Sequence, residues 1–369
     1  MNRTAFVAFY PVYPSNMGSS EVSSSFFESW IGVKKLFQIS HLNKIDNKKI
    51  YTQFISKEKP INKILNIVRL VRKVKQFFKG SYKPNIIIEG PSWIGYSFIF
   101  FFISKILIPK AFIIYHSHSV EYEIRRKNSN YLISFLTKRM ENYIFNNADL
   151  ATSVSINEKN KIINLYNKET VIFPNGVHIK KLKKLKKLKI KLPIKYILYS
   201  GSYLYGPNKE AIDHLNNYFM PKLIKIFPNL KLILTGGGYN VNHSWLINLG
   251  VVSKDCVVTL LKNSQLILVP IYEGYGTRIK IIEALMLGIP IVSSTKGIEG
   301  IDYKLNKFKN PLVSKKKNIL LKYAKKVLKN NQVFKKDSKK NKSKYIAIYN
   351  MKEIVKKFQL SLIKKNKNA

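Results

Sequence analysis

One cysteine, Cys256, stands in 369 residues. That excludes an internal disulfide framework and any cysteine-rich zinc site, and it fits a reducing compartment. Acidic residues are also scarce, 20 against 65 Lys and Arg, which gives a formal net charge of +45. No apolar run reaches the roughly 20 residues that a membrane-spanning helix needs; the longest, Ile94 to Ser104, stops at Lys105. A buried helix of an α/β domain explains that run better than an interfacial helix, although its aromatic residues leave the second reading open. No signal-peptide pattern opens the sequence, because Arg3 is followed by one short strand and then polar residues. There is no convincing Asp-x-Asp cluster.

The charge bears on partners. A surface this basic is drawn to polyanions or to the anionic headgroups of a membrane leaflet. Lys, Asn and Ile are inflated together, as an AT-rich coding sequence would produce, so most lysines are expected on solvated faces. Nucleic acid is the weaker partner, since no compact module with interleaved aromatics is visible.

What is present is a repeated alternation of strand and helix patterns, which argues for parallel sheets in two domains. Ala5 to Tyr10 reads as a buried strand, followed by a small-residue loop carrying Gly18 and a helix from about Glu21 to Trp30. Further strands are expected at Leu36 to Leu42, Asn85 to Glu89, Ala111 to Tyr115 and Ala148 to Ser153. Helices are expected at Asn62 to Phe78, after Trp93, at Tyr131 to Asn146 and at Glu158 to Tyr166. The turn Pro174-Asn175-Gly176-Val177 ends this part. Lys180 to Lys191, almost wholly Lys and Leu, reads as a linker.

The remainder repeats the pattern with strands at Tyr196 to Ser200, Leu230 to Thr235, Leu266 to Val269 and Ile289 to Ser293. Val257 to Leu261 is expected as a short edge strand. Two basic amphipathic stretches, Ile319 to Leu328 and Tyr345 to Leu362, are expected with a polar lysine-rich break between them, and Lys364 to Ala369 is expected to fray.

The chain is organised around the stretch from Pro270 to Pro290. An apolar strand runs into Gly274 and Gly276, Thr277 can cap a helix, and that helix ends at Gly288. A helix N-terminus exposes unpaired N–H groups and favours an anion. Arg278 and Lys280 then fall in the first turn, where cations are the wrong sign for the helix dipole. A bound diphosphate would reverse that penalty. The competing reading leaves both cations solvated and pairs Glu283 with Lys280.

This segment resembles the donor-binding signature of the family-4 retaining glycosyltransferases, in the subgroup that reads Gly-x-Gly-Thr-Arg-x-Lys-x-x-Glu-Ala followed by Gly-x-Pro. The residues are Gly274, Gly276, Thr277, Arg278, Lys280, Glu283, Ala284, Gly288 and Pro290, with Tyr275 inside the loop. The resemblance implies a GT-B fold: two Rossmann-like, doubly wound parallel-sheet domains facing across a cleft. Its domains would be residues 1–178 on the acceptor side, a basic linker over 179–194, a nucleotide-sugar domain over 195–340, and a C-terminal helix over 341–369 crossing back to the first domain.

It further implies transfer of a sugar from a nucleotide-diphosphate sugar to an acceptor hydroxyl, with retention and without metal or cofactor. Arg278 and Lys280 would hold the diphosphate and Glu283 the ribose. Glu273 either approaches the donor sugar or only decorates its loop. His118 and Glu121 match the family's His-Asn-x-Glu segment, with Ser119 in place of Asn, so His118 would contact the transferred sugar or the acceptor. His116 and His118 suggest metal only weakly, because no third ligand is evident. Gly18, Ser202 and Gly237, within Gly236-Gly237-Gly238, would line the donor site.

The expected partners are a nucleotide-sugar donor, a glycan or lipid-linked acceptor and an anionic membrane surface. The setting would be cytoplasmic or peripheral to the inner face, in synthesis of cell-envelope polysaccharide, lipopolysaccharide or glycolipid. A nucleotide-sugar 2-epimerase of the same fold and a non-catalytic basic binding protein are the alternatives.

Overall fold

The structure is a computed structural model, and it describes residues 2–15, 18–90, 92–183, 192–303 and 310–367. The chain divides into two compact units: Met1–Asn175 with Met351–Ala369, and Gly176–Asn350. Much of the Lys/Leu linker, residues 184–191, lies outside the described residues, as do the side chains of the tail expected to fray.

Unit 1 runs β1 (Arg3–Ala8), α1 (Gly18–Ser29), β2 (Val33–Ser40), β3 (Ile50–Phe54), α2 (Pro60–Phe77), β4 (Asn85–Glu89), α3 (Ile94–Leu107), β5 (Phe112–Ser117), α4 (Glu121–Asn128), α5 (Tyr131–Asn147), β6 (Leu150–Ser153), α6 (Ile156–Tyr166) and β7 (Val171–Ile172). Its seven strands are all parallel, in the order β3-β2-β1-β4-β5-β6-β7. Both faces of such a sheet are covered, so its strands are apolar throughout rather than alternating. Ala5, Phe6, Val7, Ala8 and Phe9 are accordingly all buried. Phe6 meets Phe26, Phe27 and Trp30 edge-on, which fixes α1 to one face of the sheet.

The helices follow local signals. Pro60 opens α2, and its Ile67, Leu70, Val71 and Val74 form one buried stripe. Ser155 caps α6 by accepting from the Glu158 amide, and Asn167 ends it in the left-handed region. β3 and α4 were not anticipated by the sequence pattern.

Unit 2 runs α7 (Ile179–Lys183), β8 (Lys195–Ser200), α8 (Gly206–His214), a π-helical turn over Leu215–Phe219, α9 (Met220–Ile224), β9 (Leu230–Thr235), β10 (Leu246–Asn248), α10 (Lys254–Asn263), β11 (Leu266–Val269), α11 (Ile279–Leu287), β12 (Ile291–Ser294), β13 (Leu312–Ser314), α12 (Lys317–Lys329) and α13 (Asn331–Tyr349). Its six parallel strands take the order β10-β9-β8-β11-β12-β13. α14 (Met351–Lys367) returns to unit 1, where it packs on α1 through Trp30 and Phe358 and through paired amide bonds between Gln359 and Ile31.

Two expectations are corrected. Val257 to Leu261 is not an edge strand but the middle of α10, because Ser253 caps the helix and Val258 and Leu261 recur at helical spacing on its buried face. The edges of the sheet are β10 and β13. The expected break after Leu328 is α13, which Phe334, Ser338, Asn341 and Tyr345 bury along one stripe. Residues 341–350 thus belong to unit 2, and the returning segment starts at Met351. Among the described residues no helix is long and apolar enough to cross a membrane.

Candidate functional site

In each sheet the first strand has its sequence neighbours on one side and the later strands on the other. The crevice at such a reversal, beyond the carboxyl ends of the strands, is where open α/β sheets bind ligands. In unit 2 it lies between β8 and β11, and in unit 1 between β1 and β4.

The loops after β8, β9 and β11 in unit 2 carry Ser202, Gly237 and the run from Glu273 to Arg278, and hydrogen bonds lace them together. Tyr203 N donates to Gly237 O at 2.9 Å, and Ser202 Oγ donates to the same carbonyl at 3.3 Å. Gly236 has φ +117°, and a Cβ there would stand 2.5 Å from the Gly201 carbonyl group, so the loop after β9 can pass the loop after β8 only because residue 236 is glycine. Glu210 on α8 accepts from the Tyr272 and Glu273 amides, both at 3.1 Å, which pins the start of the loop after β11. Glu273 itself is exposed.

Arg278 is the N-cap of α11 and not a first-turn residue, and it makes no side-chain cap bond. Thr277 therefore precedes the cap: Gly276, at φ +73°, turns the loop, and Arg278 stays extended, so the helix starts one residue later than expected. The Arg278 side chain is buried. Its Nη1 donates to the carbonyls of Tyr275 and Gly276, while Nε and Nη2 have no partner among the described residues. A buried guanidinium is held with no carboxylate bonded to it, which is costly unless an anion completes it.

Lys280 donates to Asn208 Oδ1 at 2.9 Å and stands over the Tyr199 ring. Burial, then Arg278, pushes its pKa well below the usual lysine value, against a smaller upward pull from Glu283. Asn208 also bonds the Tyr199 hydroxyl and the Ser202 carbonyl, so one side chain ties Lys280 to the loop after β8. Glu283 is buried and pairs with Lys254 of α10, so the competing reading that joins it to Lys280 does not hold. Lys280 and Glu283 line one small pocket with Tyr199, Ser200 and Val269.

The unit 1 crevice holds a buried polar chain. Glu89, the last residue of β4, accepts on Oε2 from Ser23 Oγ at 2.6 Å and bonds His118 Nε2 at 3.0 Å. Tyr10 Oη lies 2.6 Å from Ser23 Oγ, and His116 Nδ1 lies 2.7 Å from Thr152 Oγ1. Burial pushes the Glu89 carboxyl up, but His118, His116 and Ser23 together hold it below the usual range. Burial, then the neighbouring His118, drives His116 down to about 3, so it is neutral. The structure thereby supplies the third metal-type ligand that the sequence did not show, since Glu89, His116 and His118 place ligand atoms within 4.8 Å of one another. Ser23 and His118 occupy Oε2, while Glu89 Oε1 and His116 Nε2 are buried with no partner among the described residues. The cluster is a hydrogen-bonded relay that fixes His118.

Gly18 begins α1 and is exposed. Glu121 begins α4 and accepts from Arg125. Glu89, Ser23, Asn208, Glu210 and Lys254 were not singled out as site residues from the sequence. The one available signal was for Glu89, a carboxylate at the end of a buried strand just before Gly90-Pro91.

Residues 194–329 match the family described as glycosyl transferases group 1, a little over a third of the chain. The whole chain is similar in structure to sucrose-phosphate synthase from Thermosynechococcus elongatus, at 12% identity and TM-score 0.74, covering 100% of both chains. The Anabaena protein HepE, solved with UDP and glucose, gives 13% identity and TM-score 0.71 over 96% of this chain and 98% of that one. WaaG, a glycosyltransferase involved in lipopolysaccharide biosynthesis, gives 12% and 0.65 over 95% and 97%. The fold is GT-B. No curated protein matches this chain by sequence.

Proposed function

We propose that the chain is a glycosyltransferase that takes a sugar from a nucleotide-diphosphate donor, with the diphosphate seated at the N-terminus of α11. The observation that carries this is Arg278, a buried guanidinium with Nε and Nη2 unbonded at the reversal point of the unit 2 sheet. The group 1 match over the same unit and the resemblance of Gly274 to Pro290 support it. Because HepE has been solved with UDP and with UDP-glucose, a UDP-sugar is the first donor to test.

As the glycosidic bond opens, negative charge gathers on the leaving diphosphate. Arg278, Lys280 and the α11 amides are placed to stabilise that charge more strongly in the transition state than in the ground state, which is what accelerates a reaction. The ordered cations make a metal ion unnecessary for this step. By the resemblance, transfer proceeds with retention, and His118, fixed by Glu89, contacts the transferred sugar. Glu283 keeps one carboxylate oxygen beyond its Lys254 bond for a ribose hydroxyl. We assign the acceptor to a glycan or lipid-linked glycan of the cell envelope, reached at an anionic membrane face to which a chain of net charge +45 is drawn.

The test is a thermal-shift screen with UDP, GDP, ADP and CDP on the wild type and on Arg278→Ala. Stabilisation by one nucleotide, lost in the variant, is expected. Folded protein that responds to none of them would remove the donor assignment.

A further inference from the structure

Three adjacent strands set a row of polar side chains on one face of the unit 1 sheet. In the parallel register Glu89 of β4 stands opposite His116 of β5, and His116 stands opposite Thr152 of β6. His118 follows His116 by two residues, and side chains two apart on an extended backbone leave on the same side. All four are buried, where a sheet covered on both faces ordinarily places apolar residues. Phe26 and Phe173 lie edge-on to the His116 ring at 5.4 and 4.9 Å, so two walls around it are apolar.

The hydrogen bonds within the row do not complete it. His116 Nδ1 is taken by Thr152 Oγ1 at 2.7 Å, so what the ring has left to offer is at Nε2, which has no partner among the described residues. Glu89 Oε2 is taken by Ser23 and His118, and Oε1 is likewise unpartnered there. Glu89 is 0% and His116 1% exposed, so solvent reaches neither atom. Leaving a buried carboxylate oxygen and a ring nitrogen unsatisfied side by side is costly, and a ligand between them would remove the cost.

We propose that Glu89, His116 and His118 form a binding site for one divalent transition-metal ion of the zinc class, held by a carboxylate oxygen and one nitrogen from each imidazole. The donor set selects the class. Two imidazoles with one carboxylate suit Zn²⁺, Co²⁺ or Ni²⁺, whereas Mg²⁺ and Ca²⁺ take oxygen ligands. Ligand atoms of the three residues lie within 4.8 Å of one another. A tetrahedral zinc with bonds of about 2.0–2.1 Å sets its ligands about 3.3–3.4 Å apart, and His118 Nε2 is already 3.0 Å from Glu89 Oε2. Side-chain torsions supply the remaining contraction. Thr152 serves as the outer partner that fixes the ring orientation of His116, the role that the second nitrogen of a metal-bound histidine needs filled. His118 donates from Nε2 to Glu89 without the ion, and turns that nitrogen to the ion by carrying its proton on Nδ1 instead. Three protein ligands leave a fourth position for water. The ion would tie the ends of β4 and β5 together. It plays no part in seating the donor diphosphate, whose residues belong to unit 2.

The experiment titrates the full chain, stripped with a chelator, with Co²⁺ followed by visible absorption, and reads Zn²⁺ and Mg²⁺ by thermal shift. One equivalent of Co²⁺ is expected to give the intense band of a four-coordinate site, and Zn²⁺ to displace it and raise the melting temperature. Mg²⁺ is expected to do neither. Glu89→Gln, which keeps the shape and removes the charge, and His116→Gln are each expected to weaken Co²⁺ binding at least about tenfold, with folding checked by circular dichroism. Should His116→Gln fail to fold, His118→Gln takes its place. His243→Gln, in unit 2, is expected to bind as wild type does. A wild type that takes up neither Co²⁺ nor Zn²⁺ would overturn the proposal and leave a buried water as the partner of both atoms. So would binding that survives the Glu89 and His116 changes but is lost in His243→Gln, which would put the ion at the surface. Metal uptake by a protein that responds to no nucleotide would remove the donor assignment and leave this site standing, so the two readings fail separately.

Discussion

The ammonium of Lys280 stands 3.8 Å from the centroid of the Tyr199 ring and donates to Asn208, on the helix that follows the same strand as Tyr199. Burial and Arg278 lower its pKa well below the ordinary lysine value. A diphosphate placed beside it would push that pKa back up, so binding should take up a proton. A group whose pKa rises on binding gives its full contribution below the free-state pKa and loses it as pH rises through the bound-state pKa. Calorimetry of UDP binding in two buffers of different ionisation enthalpy is expected to show proton uptake above the free-state pKa of Lys280. Affinity is expected to fall with rising pH in the same window, and Lys280→Met should flatten both.

Arg278 predicts a trade between stability and function. Its guanidinium is buried with Nε and Nη2 unbonded, so replacing it with an apolar side chain of similar length removes a desolvation cost. Arg278→Met is expected to raise the stability of the nucleotide-free protein by about 1–3 kcal/mol in urea denaturation, while losing stabilisation by UDP. A variant less stable than wild type would show that the cation is already satisfied in the free protein.

Glu89 holds His118 and touches nothing assigned to the donor. Glu89→Gln keeps the shape but weakens a charge-assisted bond worth about 1.5–3 kcal/mol. Turnover is expected to drop about tenfold to a hundredfold, with UDP affinity unchanged. Equal losses in turnover and in UDP affinity would point to general disruption instead.

Burial raises the Glu141 carboxyl to about 7, against the pull of Tyr166 and the amides of Glu121 and Tyr122. Its folded pKa lies above the unfolded value of about 4.3, so its contribution to stability is complete below the unfolded value and is lost as pH rises through about 7. Thermal denaturation from pH 5 to pH 8 is expected to show this decline in wild type. Glu141→Gln should be nearly flat over that range.

The sequence carried most of the fold because parallel strands buried on both faces leave continuous apolar runs, as at Ala5 to Phe9 and Leu266 to Val269. It was least legible where that signal is missing. β3, Ile-Tyr-Thr-Gln-Phe, is a half-exposed edge strand, and Val257 to Leu261 is apolar enough to imitate a strand while Ser253 caps it as helix. In the unit 2 site the glycine loop and the two cations were visible because they are contiguous. Their supports, Asn208, Glu210 and Lys254, lie on other helices, and only the fold brings them close.

α14 adds a constraint on synthesis. Unit 1 lacks the helix that covers α1 until the chain beyond Met351 has left the ribosome, and the intervening Gly176–Asn350, 175 residues, must be made first. At about 5–20 residues per second this interval is roughly 9 to 35 s. Throughout it Trp30 and Phe173 lack the cover that Phe358 later provides. Unit 2 can therefore reach its folded state before unit 1 closes, although unit 1 was made first.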